Sequence, residues 1–142
     1  MKQRRTLMMS IARTRRVWQE HKKSIALSLG IPDSYRTVIM YLAKHPGANQ
    51  RMIAEFSEVT ASAINQTVKS MIAEGYVRKE MDGSDRRQTK LFLTEKGEET
   101  AGKLMKKMDW GDDRITELIT PEKEAELIQW IDRIHDFIRE EL

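Results

Sequence analysis

Residues 60–97 read TASAINQTVKSMIAEGYVRKEMDGSDRRQTKLFLTEKG, and the hydrophobic period of this stretch changes once. In its first part, apolar residues recur at helical steps and form a stripe of Ile64, Val68, Met71 and Ile72. Thr60 is a typical N-cap, and Gly75 is typical of the position just past a helix end. The pattern therefore predicts a helix from Ala61 to Glu74.

The second part of the stretch has the pattern of a β-hairpin. Residues 76–81 suit a short strand, and residues 90–93 suit the returning strand. Asp82-Gly83-Ser84-Asp85 is typical of a turn, because glycine adopts positive φ readily and Asp and Ser side chains bind nearby amides. We therefore predict a hairpin over 76–93 inside a helical protein.

Helical periodicity continues on both sides of the hairpin. The upstream helices that we predict are one over 4–29, one capped by Asp33 or Ser34 and ended by His45-Pro46-Gly47, and one over 50–57 capped by Asn49. Downstream, Thr94 caps one helix and Pro121 opens the last. The fold class is therefore mainly α with a small β-hairpin wing.

The helices at 50–57 and 61–74, with Glu58-Val59 between them, are typical of a helix-turn-helix, whose second helix enters the major groove of DNA. Asn and Gln can pair with adenine, Ser can donate or accept, and Lys suits phosphate or guanine. An ordinary polar helix face is the alternative interpretation. The predicted DNA contacts of this helix are Thr60, Ala61, Ser62, Asn65, Gln66 and Lys69.

The hairpin tip is the second candidate contact. Its predicted DNA-binding residues are Ser84, Asp85, Arg86 and Arg87. Arginine suits narrow minor grooves, where negative potential is concentrated, and Asp85 could hold one arginine by a charged hydrogen bond. Taken alone, the tip is better explained as a solvated turn. A helix-turn-helix followed directly by an arginine-tipped hairpin, however, is typical of a winged helix.

These motifs resemble those of the MarR (multiple antibiotic resistance regulator) family of winged helix-turn-helix transcriptional regulators. The resemblance rests on Asp85-Arg86-Arg87 followed by Leu91-Phe92-Leu93-Thr94-Glu95-Lys96-Gly97, and on the upstream run Gly75-Tyr76-Val77-Arg78-Lys79. Leu29-Gly30-Ile31 and the helix capped by Thr60 also match. The match is close over about residues 25–100. The terminal helices resemble those of the family in type but carry no family motif.

The resemblance implies a sequence-specific regulator that binds double-stranded DNA at a pseudo-palindromic operator. It implies a homodimer with interleaved terminal helices, and repression relieved by a small aromatic or anionic effector. Three features of the sequence depart from the family pattern. Glu58 stands where glycine is common, so the turn is expected to differ in shape. Gln66 replaces a common basic residue, and the lack of cysteine excludes peroxide sensing through a thiol.

The chain divides into three regions. Residues 1–30 form the N-terminal helix of a dimerisation layer, residues 31–97 form the winged helix-turn-helix DNA-binding region, and residues 98–142 form C-terminal dimerisation helices. The terminal helices are amphipathic but have little to pack on within one chain, which favours oligomerisation. Net charge also changes along the chain, from +8 over 1–45 to +1 over 46–97 and −6 over 98–142.

Composition excludes several other classes of protein. Without cysteine there are no disulfides, thiolate zinc sites or cysteine nucleophiles, and the three dispersed histidines give no metal site. No apolar run approaches the ~18 residues of a membrane span, so we expect a cytoplasmic protein. We expect no cofactor and no enzymatic activity, since no nucleophile motif or phosphate-binding loop is present.

Two readings stay open at this point. Many winged helices bind other proteins, so the alternative function is a winged-helix protein–protein interaction module. The aromatic residues Trp18, Trp110, Trp130 and Tyr35 could line an effector pocket, but on amphipathic helices such residues more often belong to a core or a dimer interface. No ligand-binding residues are assigned from the sequence.

Overall fold

The computed structural model describes residues 4–82 and 85–142, apart from the side chains of residues 82 and 85–88. The elements are α1 (Leu7–Ser28), α2 (Asp33–Lys44), α3 (Gln50–Ser57), α4 (Ala61–Ala73), β1 (Val77–Asp82), β2 (Asp85–Leu93), α5 (Glu95–Thr116) and α6 (Pro121–Glu141). The strands form one antiparallel hairpin, with Val77 opposite Leu93. The predicted fold class is confirmed. Residues 1–106 and 107–142 form two compact units.

The core of the first unit lies where α2, α3, α4 and the base of the hairpin meet. Its fully buried side chains come from each of these elements and from α5, and they include Val38, Ile39, Leu42, Ile53, Val68, Met71, Val77, Leu91 and Leu104. The predicted stripe of α4 faces this core, since Ile64 is also buried. Burial of this apolar surface supplies the main free energy that orients α4.

Several predicted boundaries need correction. The first helix starts at Leu7, not at residue 4, because the Thr6 hydroxyl accepts a hydrogen bond from the Met9 amide and caps it there. The second helix has Pro32 at its N-cap, so neither Asp33 nor Ser34 caps it. Asp33 is instead the first helical residue, and its carboxylate binds the buried Arg36 guanidinium at 2.6 Å.

The strands also differ slightly from the prediction. Strand β1 runs one residue later than expected, and β2 begins at Asp85 rather than near Lys90. The sequence pattern missed the first part of β2 because its residues are polar throughout and show no alternation. The caps at Asn49, Thr60 and Thr94 are confirmed, each accepting a hydrogen bond from an amide of the following turn. Thr120 caps α6 in the same way, immediately before the predicted Pro121.

The turn between α3 and α4 depends on Glu58. This residue adopts φ 55° and ψ 30°, and it is the one non-glycine residue with positive φ in the part of the chain that the structure describes. The expectation that a glutamate here reshapes the turn is therefore wrong, since Glu58 adopts the left-handed conformation that glycine favours. The strain is held by the packing of the two helices on either side.

The base of the hairpin is joined tightly to the start of α5. Tyr76 O accepts a hydrogen bond from the Thr94 amide at 3.0 Å, and Gly97 packs directly against the same carbonyl. A Cβ atom on Gly97 would lie 2.2 Å from Tyr76 O and 3.1 Å from Leu93 Cδ2. Only glycine permits this approach without movement of the backbone.

Gly97→Ala is therefore expected to lower the free energy of unfolding by about 3 kcal/mol, the upper part of the usual range for overpacking. The matched control is Gly102→Ala, which lies in the same helix with no atom within 4 Å of the added Cβ. The control should raise stability by about 0.5–1 kcal/mol. Equal effects of the two variants in urea denaturation would contradict the close packing at Gly97.

Glu58→Gly is expected to raise the free energy of unfolding by up to about 1 kcal/mol, because glycine avoids the cost of the left-handed conformation. Glu58→Ala removes the same charge but retains the strain, so it serves as the control. Thermal and chemical denaturation would measure both. Equal stability of the glycine and alanine variants would show that backbone strain is not stored at this turn.

Candidate nucleic-acid interface

Helix α4 has two faces with different environments. Ile64, Val68 and Met71 are buried at 3%, 1% and 0% exposure. On the opposite side, the six predicted contacts are all exposed, namely Thr60, Ala61, Ser62, Asn65, Gln66 and Lys69. The structure thus brings these six residues together on one solvent-facing surface, which we call the α4 face.

The polar side chains of the α4 face are free to bind an external partner. Within the described part of the chain, no hydrogen bond or ion pair involves the side chains of Ser62, Asn65, Gln66 or Lys69. Thr60 differs, because its hydroxyl accepts a hydrogen bond from the Ala63 amide at 3.2 Å and caps the helix. Thr60 therefore positions the start of α4 and leaves the neighbouring residues to make contacts.

The C-terminal end of α4 is held by residues that follow the hairpin. Three successive carbonyls, of Glu74, Gly75 and Tyr76, accept hydrogen bonds from Lys96 Nζ, the Thr94 hydroxyl and the Thr94 amide. The Lys96 ammonium also lies 4.2 Å from the centre of the Tyr76 ring. The run Thr94-Glu95-Lys96-Gly97 thereby fixes α4 relative to the wing base.

The wing strand is also tied to the segment before the helix-turn-helix. Gly47 N donates to Leu91 O at 2.8 Å, and Leu91 N donates to Ala48 O at 3.0 Å. The Arg78 guanidinium packs over the Phe92 ring at 4.6 Å and covers the strand pair. Sequence reasoning missed the pairing at Gly47-Ala48, since two residues after a proline carry no strand pattern.

The predicted wing contacts are only partly described. Asp85, Arg86 and Arg87 belong to strand β2, and the structure describes their backbone. Their side chains are outside the described part of the structure. Ser84 lies outside the described residues altogether. The predicted hydrogen bond from Asp85 to one of the arginines falls in this part of the chain and stays a prediction.

The turn of the helix-turn-helix contacts α1 through a charged pair that sequence reasoning did not find. Arg15 lies 3.6 Å from the Glu58 carboxylate, with both side chains exposed. Partial burial, reinforced by the nearby Arg36 and Arg15 charges, lowers the pKa of the Lys22 ammonium, while Asp33 opposes this shift. Arg15 of α1 therefore lies beside the turn, and Lys22 of α1 lies near Arg36 and Asp33 of α2.

The aromatic candidates for an effector pocket have different environments. Tyr35 is buried and contacts the Tyr76 ring edge-on at 5.7 Å. Burial, together with a hydrogen bond to Glu74 and its negative charge, raises the pKa of the Tyr35 phenol. Trp18 is half-buried against His21, whereas Trp110 and Trp130 are exposed. Of the four, only Tyr35 belongs to the core that supports α4.

Within residues 4–82 and 85–142, no group of three or more His, Asp or Glu residues is arranged to hold a metal ion. No described helix combines the length and apolar character that crossing a bilayer requires.

The sequence matches the family model described as MarR family over residues 29–88, which covers α2 to the first part of β2. The HTH-type transcriptional regulator BilQ of Clostridium symbiosum (strain WAL-14163) is 29% identical over 65 residues. This match covers 46% of the present chain and 45% of BilQ, so it spans less than half of that relative.

Solved structures extend the similarity to almost the whole chain. The transcriptional repressor CouR, bound to a 23-mer DNA duplex, has a TM-score of 0.78 and 23% identity over 92% of each chain. A Mycobacterium tuberculosis MarR family protein in complex with salicylic acid has a TM-score of 0.71 and 19% identity, over 94% of this chain and 99% of that one. These likenesses concern the fold. The sequence match shows that residues 29–88 are similar to the MarR family, and the structures show that the chain shares the fold of that family's solved members.

Proposed function

We propose that this protein is a sequence-specific regulator of transcription that binds double-stranded DNA through α4 and the wing. The observation that carries the proposal is the α4 face, where Ser62, Asn65, Gln66 and Lys69 are exposed and without partners among the described residues. A polar helix face held rigidly by a buried stripe is what reading of base edges in the major groove requires.

The proposed DNA contacts fall into three groups, namely those to base edges, those to phosphates and those of the wing. In this proposal Ala61, Ser62, Asn65 and Gln66 approach base edges, because the N-terminal part of a recognition helix lies deepest in the major groove. Thr60 and Lys69 lie at the two ends of the α4 face and contact phosphates. At the wing, Arg86 and Arg87 enter the minor groove or contact the backbone, with Ser84 and Asp85 positioning the tip.

The comparisons support this role over the alternatives. CouR was solved on a DNA duplex, and BilQ is described as a transcriptional regulator. The family is one of regulators and not of enzymes. A protein–protein interaction module is the second candidate, but the α4 face carries a lysine and no acidic side chain, which favours a polyanionic partner.

A homodimer is part of the proposal, with residues 1–30 and 98–142 forming the dimerisation layer and residues 31–97 binding DNA. Helix α6 has no buried residue, although its apolar stripe consists of Leu127, Trp130, Ile131, Ile134, Phe137 and Ile138. An open depression along α1, lined by Arg5, Met9, Ala12, Arg13 and Arg16, is likewise uncovered within one chain. Two copies would bury such surfaces and present two α4 faces to a pseudo-palindromic operator.

We further propose repression that a small aromatic or anionic effector relieves. The support is the salicylic acid complex of the Mycobacterium tuberculosis protein, together with Arg15 beside the helix-turn-helix turn of the present chain. An effector that binds the free protein better than the DNA-bound protein would shift the population away from DNA.

Lys69→Ala is expected to weaken DNA binding at every sequence and to reduce the slope of log K against log salt by about 0.9, the value for one lost phosphate contact. Arg86→Ala should weaken binding by at least several-fold with the fold intact. The control is Lys103→Ala, which removes the same charge from α5, where Lys103 pairs with Glu99. Fluorescence anisotropy with the DNA upstream of the protein's own gene, at several salt concentrations, would measure these changes. No binding of the parent protein at low salt would contradict the proposed function.

Ile131→Glu is expected to convert the dimer to monomer, because it places a charge within the apolar stripe of α6. Gln129→Glu introduces the same charge about 200° around the helix and should leave the dimer intact. Sedimentation velocity would distinguish a particle of 16.6 kDa from one of twice that mass. A monomeric parent protein, or equal behaviour of the two variants, would contradict the assigned interface.

A further inference from the structure

The α4 face lacks two of the residue types that commonly bind bases in the major groove. Ser62, Asn65, Gln66 and Lys69 are spaced at i, i+3, i+4 and i+7, so they form one stripe along the helix. The two amides lie in the middle of the stripe, with the hydroxyl toward the N-terminus and the ammonium toward the C-terminus. The stripe contains no arginine and no carboxylate.

Each missing residue type removes a way of reading a G·C pair. Guanine is most often read by an arginine or lysine that binds O6 and N7, whereas the amino group of cytosine is read by Asp or Glu. Asn and Gln instead bind N7 and N6 of adenine with two hydrogen bonds. Lys69 is the one guanine-binding side chain of the stripe, and it lies away from the N-terminal residues that approach bases most closely.

The geometry allows both amides to act at once. All four side chains are exposed, and no partner within the described residues competes for their donors and acceptors. The seven residue steps from Ser62 to Lys69 rise about 10 Å, which corresponds to roughly three base pairs at about 3.4 Å each. Two adjacent amides at the centre therefore suit two neighbouring or nearly neighbouring base pairs.

We infer that Asn65 and Gln66 are the specificity-determining residues of this protein and that they select A·T pairs at the centre of each operator half-site by binding adenine N6 and N7. The inference rests on the proposed function, because it takes α4 to lie in the major groove. It also assigns a consequence to Gln66, which stands where a basic residue is common in the family.

The test begins with selection of tight-binding duplexes from a fully randomised library, using the full-length protein. The enriched half-site should contain A·T pairs at its centre. Each selected adenine is then replaced by 7-deazaadenine, which lacks the N7 acceptor but leaves the minor groove unchanged. The parent protein should lose about five-fold or more in affinity at these positions, the lower end of the discrimination from a bidentate contact.

Variants show which side chain is responsible. In Asn65→Ala and Gln66→Ala, the sensitivity to 7-deazaadenine should disappear at one position each, whereas Lys69→Ala should retain it at both. The alanine variants change exposed positions to a residue of high helix propensity, so their folding is preserved. Measurements at low salt keep binding detectable, because phosphate contacts then dominate the affinity.

The possible outcomes separate the inference from the proposed function. G·C pairs at the centre of the selected half-site would overturn the inference and leave a sequence-specific DNA-binding regulator. An A·T centre that tolerates 7-deazaadenine would also overturn it, since the preference would then come from DNA shape. Failure to enrich any sequence would overturn the proposed function itself, and the inference with it.

Discussion

The arrangement of this protein depends on the junction where the chain leaves α4 and later enters α5. Three successive carbonyls at the end of α4 accept hydrogen bonds from Lys96 and from both donors of Thr94, and Gly97 packs on the last of these carbonyls. The last helical carbonyls of α4 are satisfied locally, since Ser70 O, Met71 O and Ile72 O accept hydrogen bonds from the amides of the next residues along the chain. The carbonyls that follow the helix are bound instead by residues on the far side of the hairpin. One junction therefore fixes the end of α4, the base of the wing and the start of α5 together.

Fixing α4 at both ends is what makes its exposed face useful. At the N-terminal end, the Thr60 hydroxyl caps the helix and Glu58 accepts a left-handed conformation to close the turn from α3. Between the two ends, Ile64, Val68 and Met71 anchor the helix in the core. The rotation of α4 about its axis is thereby set by packing, so Ser62, Asn65, Gln66 and Lys69 point outward and form no hydrogen bond or ion pair with the other described residues. A surface that contacts base edges needs this preorganisation, because ordering flexible groups during binding lowers the affinity.

The terminal helices have the opposite character, since their apolar stripes find little cover within one chain. Trp130 is 51% exposed and Phe137 is 57% exposed, and α6 as a whole contains no buried residue. A monomer that left such surfaces in water would forgo the stabilisation that the winged helix obtains from its core. Our proposal of a homodimer gives these stripes a partner.

The sequence by itself determined the order of the elements, the caps at Asn49, Thr60 and Thr94, and the set of α4 residues that face solvent. These features follow from local chemistry and from the 3.6-residue period, which are both written in short windows of sequence. Only the tertiary structure decided that Asp33 holds Arg36 and does not cap its helix, that Glu58 adopts positive φ, and that Gly47-Ala48 pair with Leu91. The reason is that each of these features depends on groups that tertiary packing brings together. The energy of that packing overrides the local conformational preference, and such contacts produce no periodic pattern in the sequence.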